Sequence, residues 1–280
     1  MKFVRFGAQG NETPGVQWDE ETILDISSIV DDIGPDTVGS LKTIVERVGD
    51  GAGLPSLAVA GVRLGAPISR PHKIIGVGLN YAEHIAEAGV ETPTEPVVFM
   101  KATSSLSGPC DDIVFPPGFD KVDWEVELAL VIGTAARSLA GEEEAMGHIA
   151  GYALAHDVSE RAFQLERGGQ WMKGKSADTF SPLGPWLVTP DEIPNVGDLE
   201  LKCWVNGELR QSGSTSTMIF SPGHIVWYLS QFMTIEPGDV VLTGTPKGVG
   251  LATGNYLEPG DRLQLEIPGL GVQRQTCRRA

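Results

Sequence analysis

The sequence predicts a β-rich α+β fold in which a small N-terminal α/β region, residues 1–70, precedes a larger body, residues 71–280. Apolar runs of strand length, punctuated by Gly, Pro, Asn and Asp, recur from residue 73 to residue 267. Helical spacing in that body is confined to three short segments, too few to supply the crossovers of alternating βαβ units. Residues 1–70 read differently, with one amphipathic helical stripe leading into a Gly/Pro-rich connection.

Lys2 to Phe6 alternates like a short strand, and residues 22–30 read as another after an acidic turn. Residues 36–48 have helical spacing: Val38, Leu41, Ile44, Val45 and Val48 fall on one face, and Gly49 marks the stop. Pro55, Gly61, Gly65, Pro67 and Pro71 then interrupt regular structure. In the body, strands are expected at 73–77, 97–101, 124–132, 150–155, 186–189, 199–205, 240–243 and 262–267. Helices are expected at 81–88, 158–165 and 222–232. Asn206-Gly207 signals a hairpin, while Pro237-Gly238-Asp239 and Pro259-Gly260-Asp261 are turns that introduce strands.

Composition limits what such a body can do. Hydrophobic residues make up 41% and charged residues 21% of 280, the balance of a chain that buries a core. No apolar run reaches the ~18 residues that span a bilayer, and the charged start Met1-Lys2-Phe3-Val4-Arg5 lacks a secretory core, so a cytoplasmic location is expected. Cys110, Cys203 and Cys277 are far apart, which argues for small apolar fillers rather than disulfides or a zinc site. A net charge of −16 disfavours nucleic acid and anionic membranes as partners. An anionic substrate would need cations placed locally against that field.

The first chemical signal is Asp123-Trp124-Glu125-Val126-Glu127-Leu128-Ala129-Leu130-Val131-Ile132. On a strand, Asp123, Glu125 and Glu127 share one face, with Trp124, Val126, Leu128 and Leu130 on the other. Carboxylates ~7 Å apart repel by ~2 kcal/mol at an effective dielectric of 20. A hard divalent cation between them would relieve this, although a solvated strand face fits the pattern equally well. Zinc is not indicated, because no His or Cys accompanies the acids.

Asp157 ends the small-residue run 151–156 and, taken alone, reads best as a helix N-cap with Glu160 completing a capping box. His84 and Glu87 lie one helical turn apart, so the carboxylate could orient the imidazole as a general base or both could simply be solvated. Lys175, within Lys173-Gly174-Lys175-Ser176, is either a buried cation for a substrate oxyanion or an ordinary loop lysine. Gly76-Val77-Gly78 lacks the third glycine of a dinucleotide site, and the 244–250 turn lacks the Lys-Ser/Thr of a phosphate loop. That turn instead offers backbone amides to a ligand.

The order of these motifs is more specific than any one of them. Gly-Leu-Asn-Tyr-x-x-His-x-x-Glu, Asp-Trp-Glu-Val-Glu-Leu, His156-Asp157-Val158-Ser159-x-Arg161, Gly-Lys-Ser-x-Asp, Val-Asn-Gly-Glu, Pro-Gly-Asp-Val and Gly-Thr-Pro-x-Gly-Val-Gly follow one another between residues 73 and 271. In this the chain resembles the fumarylacetoacetate hydrolase superfamily. The stretch 159–189 is most similar to its 2,4-diketo-3-deoxy-sugar-acid hydrolase (acylpyruvase) branch.

The resemblance implies a mixed β-sandwich roll that forms a homodimer or larger homo-oligomer. It implies Glu125, Glu127 and Asp157 as ligands of Mg²⁺ or Mn²⁺, with Ca²⁺ also compatible. His84 and Glu87 match a water-activating dyad on a lid-like helix, and Lys175 matches the lysine that holds negative charge on the substrate. Lys101, Arg161, Gln164 and Thr245 are expected to contact the small anionic substrate. Lys175 Nζ is expected on the side of the substrate opposite the carboxylates. His156 stands where the family often has asparagine. The implied reaction is hydrolysis of the C3–C4 bond of a 2,4-dioxo acid to pyruvate and a carboxylic acid. Oxaloacetate decarboxylation, dienoate isomerisation and a non-catalytic structural cation are the alternatives.

Overall fold

The computed structural model describes residues 1–280, and two sheets dominate it. The larger has ten strands in the order Ser56–Ala58, Thr22–Asp25, Thr13–Gln17, Lys2–Phe6, Leu187–Val188, Ile149–His156, Val126–Ile132, Val240–Leu242, Ile74–Gly78 and Val97–Lys101. Its pairings are antiparallel except between Val240–Leu242 and Ile74–Gly78, which run parallel, so the sheet is mixed. The smaller sheet has five strands, ordered Glu208–Ser214, Glu200–Val205, Arg262–Ile267, Gly271–Arg279 and Ile113–Phe115. The protein is an α+β fold, mostly sheet, as its sequence predicts.

Strand periodicity sorts one central strand into two cores. Val126, Leu128, Leu130 and Ile132 pack with Leu201, Cys203, Leu263 and Leu265 of the smaller sheet, which lies across this face. Ala129 and Val131 face the other way, into a second cluster with Leu41, Ile44 and Val48 of the Leu41–Val48 helix. Small side chains on that face allow the helix to approach. The N-terminal strands extend the same ten-stranded sheet, because Lys2 and Phe3 pair with Val188 and Leu187.

Most expected strands fall within two residues of their expected bounds. The Asn206-Gly207 hairpin is formed with both residues at positive φ, 53° and 81°, as a two-residue primed turn requires. Several expectations need correction. The strand expected at 22–30 stops at Asp25, whose carboxylate accepts the Ser27 N–H at 2.8 Å and turns the chain. The helix expected at 36–48 is a 3₁₀ turn at Val38–Ser40 followed by α-helix from Leu41. No α-helix occupies 158–165: Ser159–Glu160 pairs with Val122–Asp123, and a π-helical turn follows at Ala162–Glu166. Cys110 is exposed, whereas Cys203 and Cys277 are the expected buried fillers. No helix is long and apolar enough to cross a membrane.

Candidate active site

Two adjacent strands deliver the acids. Val126 pairs with His156 and Glu127 with Ala155, and just beyond, the Asp157 N–H donates to the Glu125 carbonyl at 3.0 Å. Glu127 shares its parity with Ala129 and Val131, and Asp157 with Ala153 and Ala155, so both carboxylates leave the sheet on one face. One oxygen from each of Glu125, Glu127 and Asp157 lies within 4.8 Å of the others, and all three residues are buried. At that separation two unit charges repel by about 3 kcal/mol at an effective dielectric of 20. The cluster therefore depends on positive charge.

Asp123, expected on the same acidic face, is not part of it. The strand breaks between Asp123 and Val126, and Asp123 turns to accept the N–H groups of Trp124 at 2.8 Å, Gly250 at 2.6 Å and Leu251 at 2.9 Å. Its Oδ2 also accepts from Arg161 Nε at 2.7 Å. Asp123 thus anchors the start of the short Gly250–Thr253 helix and helps to fix Arg161.

Three buried cations surround the triad. Arg161 Nη2 reaches Glu125 Oε1 at 2.7 Å, and Nη1 reaches Gln164 Oε1 at 2.9 Å. Lys175 Nζ donates to Glu125 Oε2 and Asp157 Oδ2, each at 2.6 Å. Lys101 Nζ donates to Asp157 Oδ1 and, at 2.8 Å, to the Phe180 carbonyl. These are the local cations that so acidic a chain requires. They also correct three expectations. Asp157 is no helix cap, since Lys101 and Lys175 take its two oxygens. Lys175 lies among the carboxylates rather than opposite them. Lys101 sits behind Asp157 and does not line the cavity described below. Gly174 makes the Lys175 position attainable, because a Cβ there would lie 2.3 Å from the Glu160 carbonyl oxygen.

The charges divide the acids. Burial alone would raise the pKa of Glu125, but Lys175 and Arg161 hold it well below the usual carboxylate range. Glu127 goes the other way: burial and then the repulsion of Asp157 and Glu125 push its pKa well up. Its one hydrogen bond is from the Gly244 N–H at 2.7 Å, and no cation touches it. Burial lowers the pKa of Lys175, but Asp157 and Glu125 more than reverse this and keep the ammonium protonated. His156 is buried with neither ring nitrogen partnered, and burial together with Lys101 pushes it down to about 3, so its imidazole is neutral.

The triad opens into a cavity of about 250 Å³. His84, Arg161, Gln164, Lys175 and Thr245 line it with the acids. His84 and Glu87 stand on the Ala82–Ala88 helix, with Nδ1 of the imidazole 3.4 Å from Glu87 Oε2. Thr245 lines the cavity, but its hydroxyl donates to the Val126 carbonyl at 2.9 Å and accepts from Gln211 at 2.8 Å, so it braces the strand. The structure adds residues that pattern reading passed over. Gln211 also accepts the Val126 N–H at 3.0 Å, and the Asn80 side chain joins Phe220 and Thr243, fixing the base of the Ala82–Ala88 helix. Phe99, Trp171 and Leu251 complete the walls. A buried glutamine or asparagine in a β-rich chain carries no periodic signal, so only the assembled site reveals these.

A purely carboxylate donor set, buried and with one member lacking any cationic partner, fits a hard divalent cation. Comparisons with known proteins agree. The family model for the fumarylacetoacetate hydrolase C-terminal domain matches residues 73–278. A Burkholderia ambifaria protein named only as a candidate hydrolase is 48% identical over 283 residues, covering 100% of both chains. The crystal structure of maleylpyruvate hydrolase from Sphingobium sp. SYK-6, in complex with manganese(II) and pyruvate, is 30% identical with a TM-score of 0.84, covering 100% of each chain. That of 5-carboxymethyl-2-hydroxymuconate delta-isomerase from Mycobacterium smegmatis is 33% identical with a TM-score of 0.80, covering 100% of this chain and 99% of that one. With the family model spanning the strands, turns and Ala82–Ala88 helix that build this cavity, the chain belongs to the fumarylacetoacetate hydrolase family.

Proposed function

We propose that the protein is a divalent-metal-dependent hydrolase that cleaves the C3–C4 bond of a 2,4-dioxo acid, giving pyruvate and a carboxylic acid. The observation that carries this is the convergence on one small cavity of a buried carboxylate triad, a buried ammonium and His84, whose Nδ1 lies 3.4 Å from Glu87 outside the lining. Glu125, Glu127 and Asp157 would hold Mg²⁺ or Mn²⁺, and the manganese and pyruvate bound to the Sphingobium hydrolase support this ion class and product. A cation held there supplies Lewis-acid stabilisation of negative charge on the 2-oxo oxygen.

The protein's own groups perform the rest. With Nδ1–H directed at Glu87, Nε2 of His84 is the basic nitrogen and takes a proton from water. The water oxygen adds to C4, and Lys175 donates to the oxyanion character that develops. The C3–C4 bond then breaks with its electron pair left on C3, which takes back the proton from His84. Water is consumed, pyruvate leaves with a methyl group at C3, and the acyl carbon leaves as a carboxylic acid that releases its proton to solvent.

The isomerase among the structural neighbours supports a second reading, in which the same site moves a double bond in a 2-hydroxy dienoate. Turnover in ¹⁸O-water separates the two. Hydrolysis releases pyruvate and acid in equal amounts, with one ¹⁸O in the new carboxylate. Isomerisation or decarboxylation incorporates no solvent oxygen at that carbon, and such a result would replace the proposal.

A further inference from the structure

The cavity has a second wall that the chemistry above does not use. Its basic residues besides His84 are Arg161 and Lys175, and both are already engaged by Asp123, Glu125 and Asp157. The large apolar residues of the lining are Leu79, Val90, Phe99, Leu165, Trp171 and Leu251. The rings of Phe99 and Trp171 lie 5.6 Å apart and tilted, and Lys175 Nζ stands 4.9 Å from the centre of Phe99. The apolar wall therefore begins directly beside the ammonium. Gly78 admits the indole, since a Cβ there would come within 2.3 Å of the Trp171 ring.

Val90, Leu165 and Leu251 are 47%, 44% and 37% exposed, yet all three line the cavity. Large apolar side chains left in water around a polar centre mark a surface that a ligand covers. The wall offers no free cation to a second carboxylate, which would lose its hydration against leucine and phenylalanine without a partner. Hydroxyl groups would likewise exchange water for groups that cannot pair with them.

Resting on the hydrolytic reading above, we infer that the substrate's acyl group is uncharged and apolar, an alkyl or aryl chain seated against Phe99, Leu165, Trp171 and Leu251. This sets the protein apart from the hydroxylated sugar acids that its motifs suggest and from acyl groups that end in a carboxylate.

The test is a panel of 2,4-dioxo acids of matched length with alkyl, phenyl, carboxylate-ended and polyhydroxylated acyl groups, assayed for pyruvate with Mn²⁺. Along the alkyl series kcat/KM is expected to rise about fourfold for each added methylene until the wall is covered. The carboxylate-ended and polyhydroxylated members are expected to fall at least about tenfold behind the alkyl member of equal length, mainly through KM. Leu165→Arg places the missing cation at the mouth and is expected to narrow the carboxylate gap about tenfold. Pyruvate release from the charged or hydroxylated members as efficient as from the alkyl ones would overturn the inference and leave hydrolysis standing. Absence of pyruvate from every member would overturn the hydrolytic reading, and the inference with it.

Discussion

Both carboxylate oxygens of Glu87 lie 3.1 Å from the Gly248 backbone nitrogen, while Oε2 is also 3.4 Å from His84 Nδ1. One side chain thus fastens the Ala82–Ala88 helix to the 244–250 turn and orients the imidazole. A second link, Lys247 to Glu83 at 2.9 Å, has both side chains more than half exposed and contributes little. The Glu87 contact is the one that sets where His84 points.

His84→Ala is expected to reduce hydrolysis of a 2,4-dioxo acid by about 10² to 10⁴, the usual contribution of a general base. Any oxaloacetate decarboxylation, which needs no attacking water, should fall much less. Glu87→Gln keeps an acceptor for Gly248 and should be milder than His84→Ala. Steady-state kinetics of the two reactions in parallel decides this, and equal losses would assign His84 to binding.

Glu127 is the buried acid without a cationic partner. In chelator-treated protein Glu127→Gln is expected to raise stability at neutral pH by about 1 kcal/mol, because a carboxyl whose pKa is raised on folding costs stability above its unfolded pKa and the amide does not. The same change should abolish the stabilisation that Mn²⁺ gives the wild type, about 2.7 kcal/mol when the ion is at a hundred times its Kd. Thermal unfolding with and without metal reads both effects. A metal shift retained in Glu127→Gln would remove this residue from the ligand set.

Lys175→Met keeps the stem and removes the charge. Since Nζ now donates to two of the three carboxylates, its removal is expected to leave metal binding at least as tight, read by calorimetry, while turnover falls about 10²-fold or more. Weaker metal binding with unchanged turnover would make Lys175 a structural counter-ion alone.

Glu12 tests an ion pair far from the site. It lies 3.0 Å from Arg63 and 3.4 Å from Arg5 with its side chain 8% exposed, and Arg63 foremost overcomes the effect of burial to hold its pKa below the ordinary value of 4.5. A carboxylate with a lowered folded pKa stabilises above its unfolded pKa, and this is lost as pH falls through the folded value. Glu12→Gln should therefore cost about 1 kcal/mol at pH 7, and the difference from wild type should close at acid pH. Denaturation at several pH values measures it, and a difference that persists in acid would point to packing instead.

The sheet strands were legible because their periodicity is local: the same alternation that sends Leu128 and Leu130 to one core sends Ala129 and Val131 to the other. The acids at 125, 127 and 157 were legible through motif order, since nothing local distinguishes Asp157 from a cap. Asp123 was misplaced because a break after it, set by the Gly250 and Leu251 amides more than 120 residues away, leaves no trace in the local pattern. The segment 158–165 failed for a similar reason. Its apolar spacing suits a helix, but pairing of Ser159 with Asp123 and burial of Arg161 against two acids outweigh that propensity. Lys101 and Lys175 were named through the same motif order, but their carboxylate partners, and the place of Lys101 behind Asp157, needed the assembled site.

The central claim is that Glu125, Glu127 and Asp157 hold a divalent cation on which C–C hydrolysis depends. The most direct measurement is pyruvate release from an alkyl-tailed 2,4-dioxo acid by chelator-stripped protein, before and after titration with Mn²⁺ or Mg²⁺. Turnover is expected to be absent from the stripped protein, to return with one equivalent of ion per chain, and to stay absent in Asp157→Ala under the same titration. Full turnover in the stripped protein, or restoration by metal in Asp157→Ala equal to that of the wild type, would contradict it.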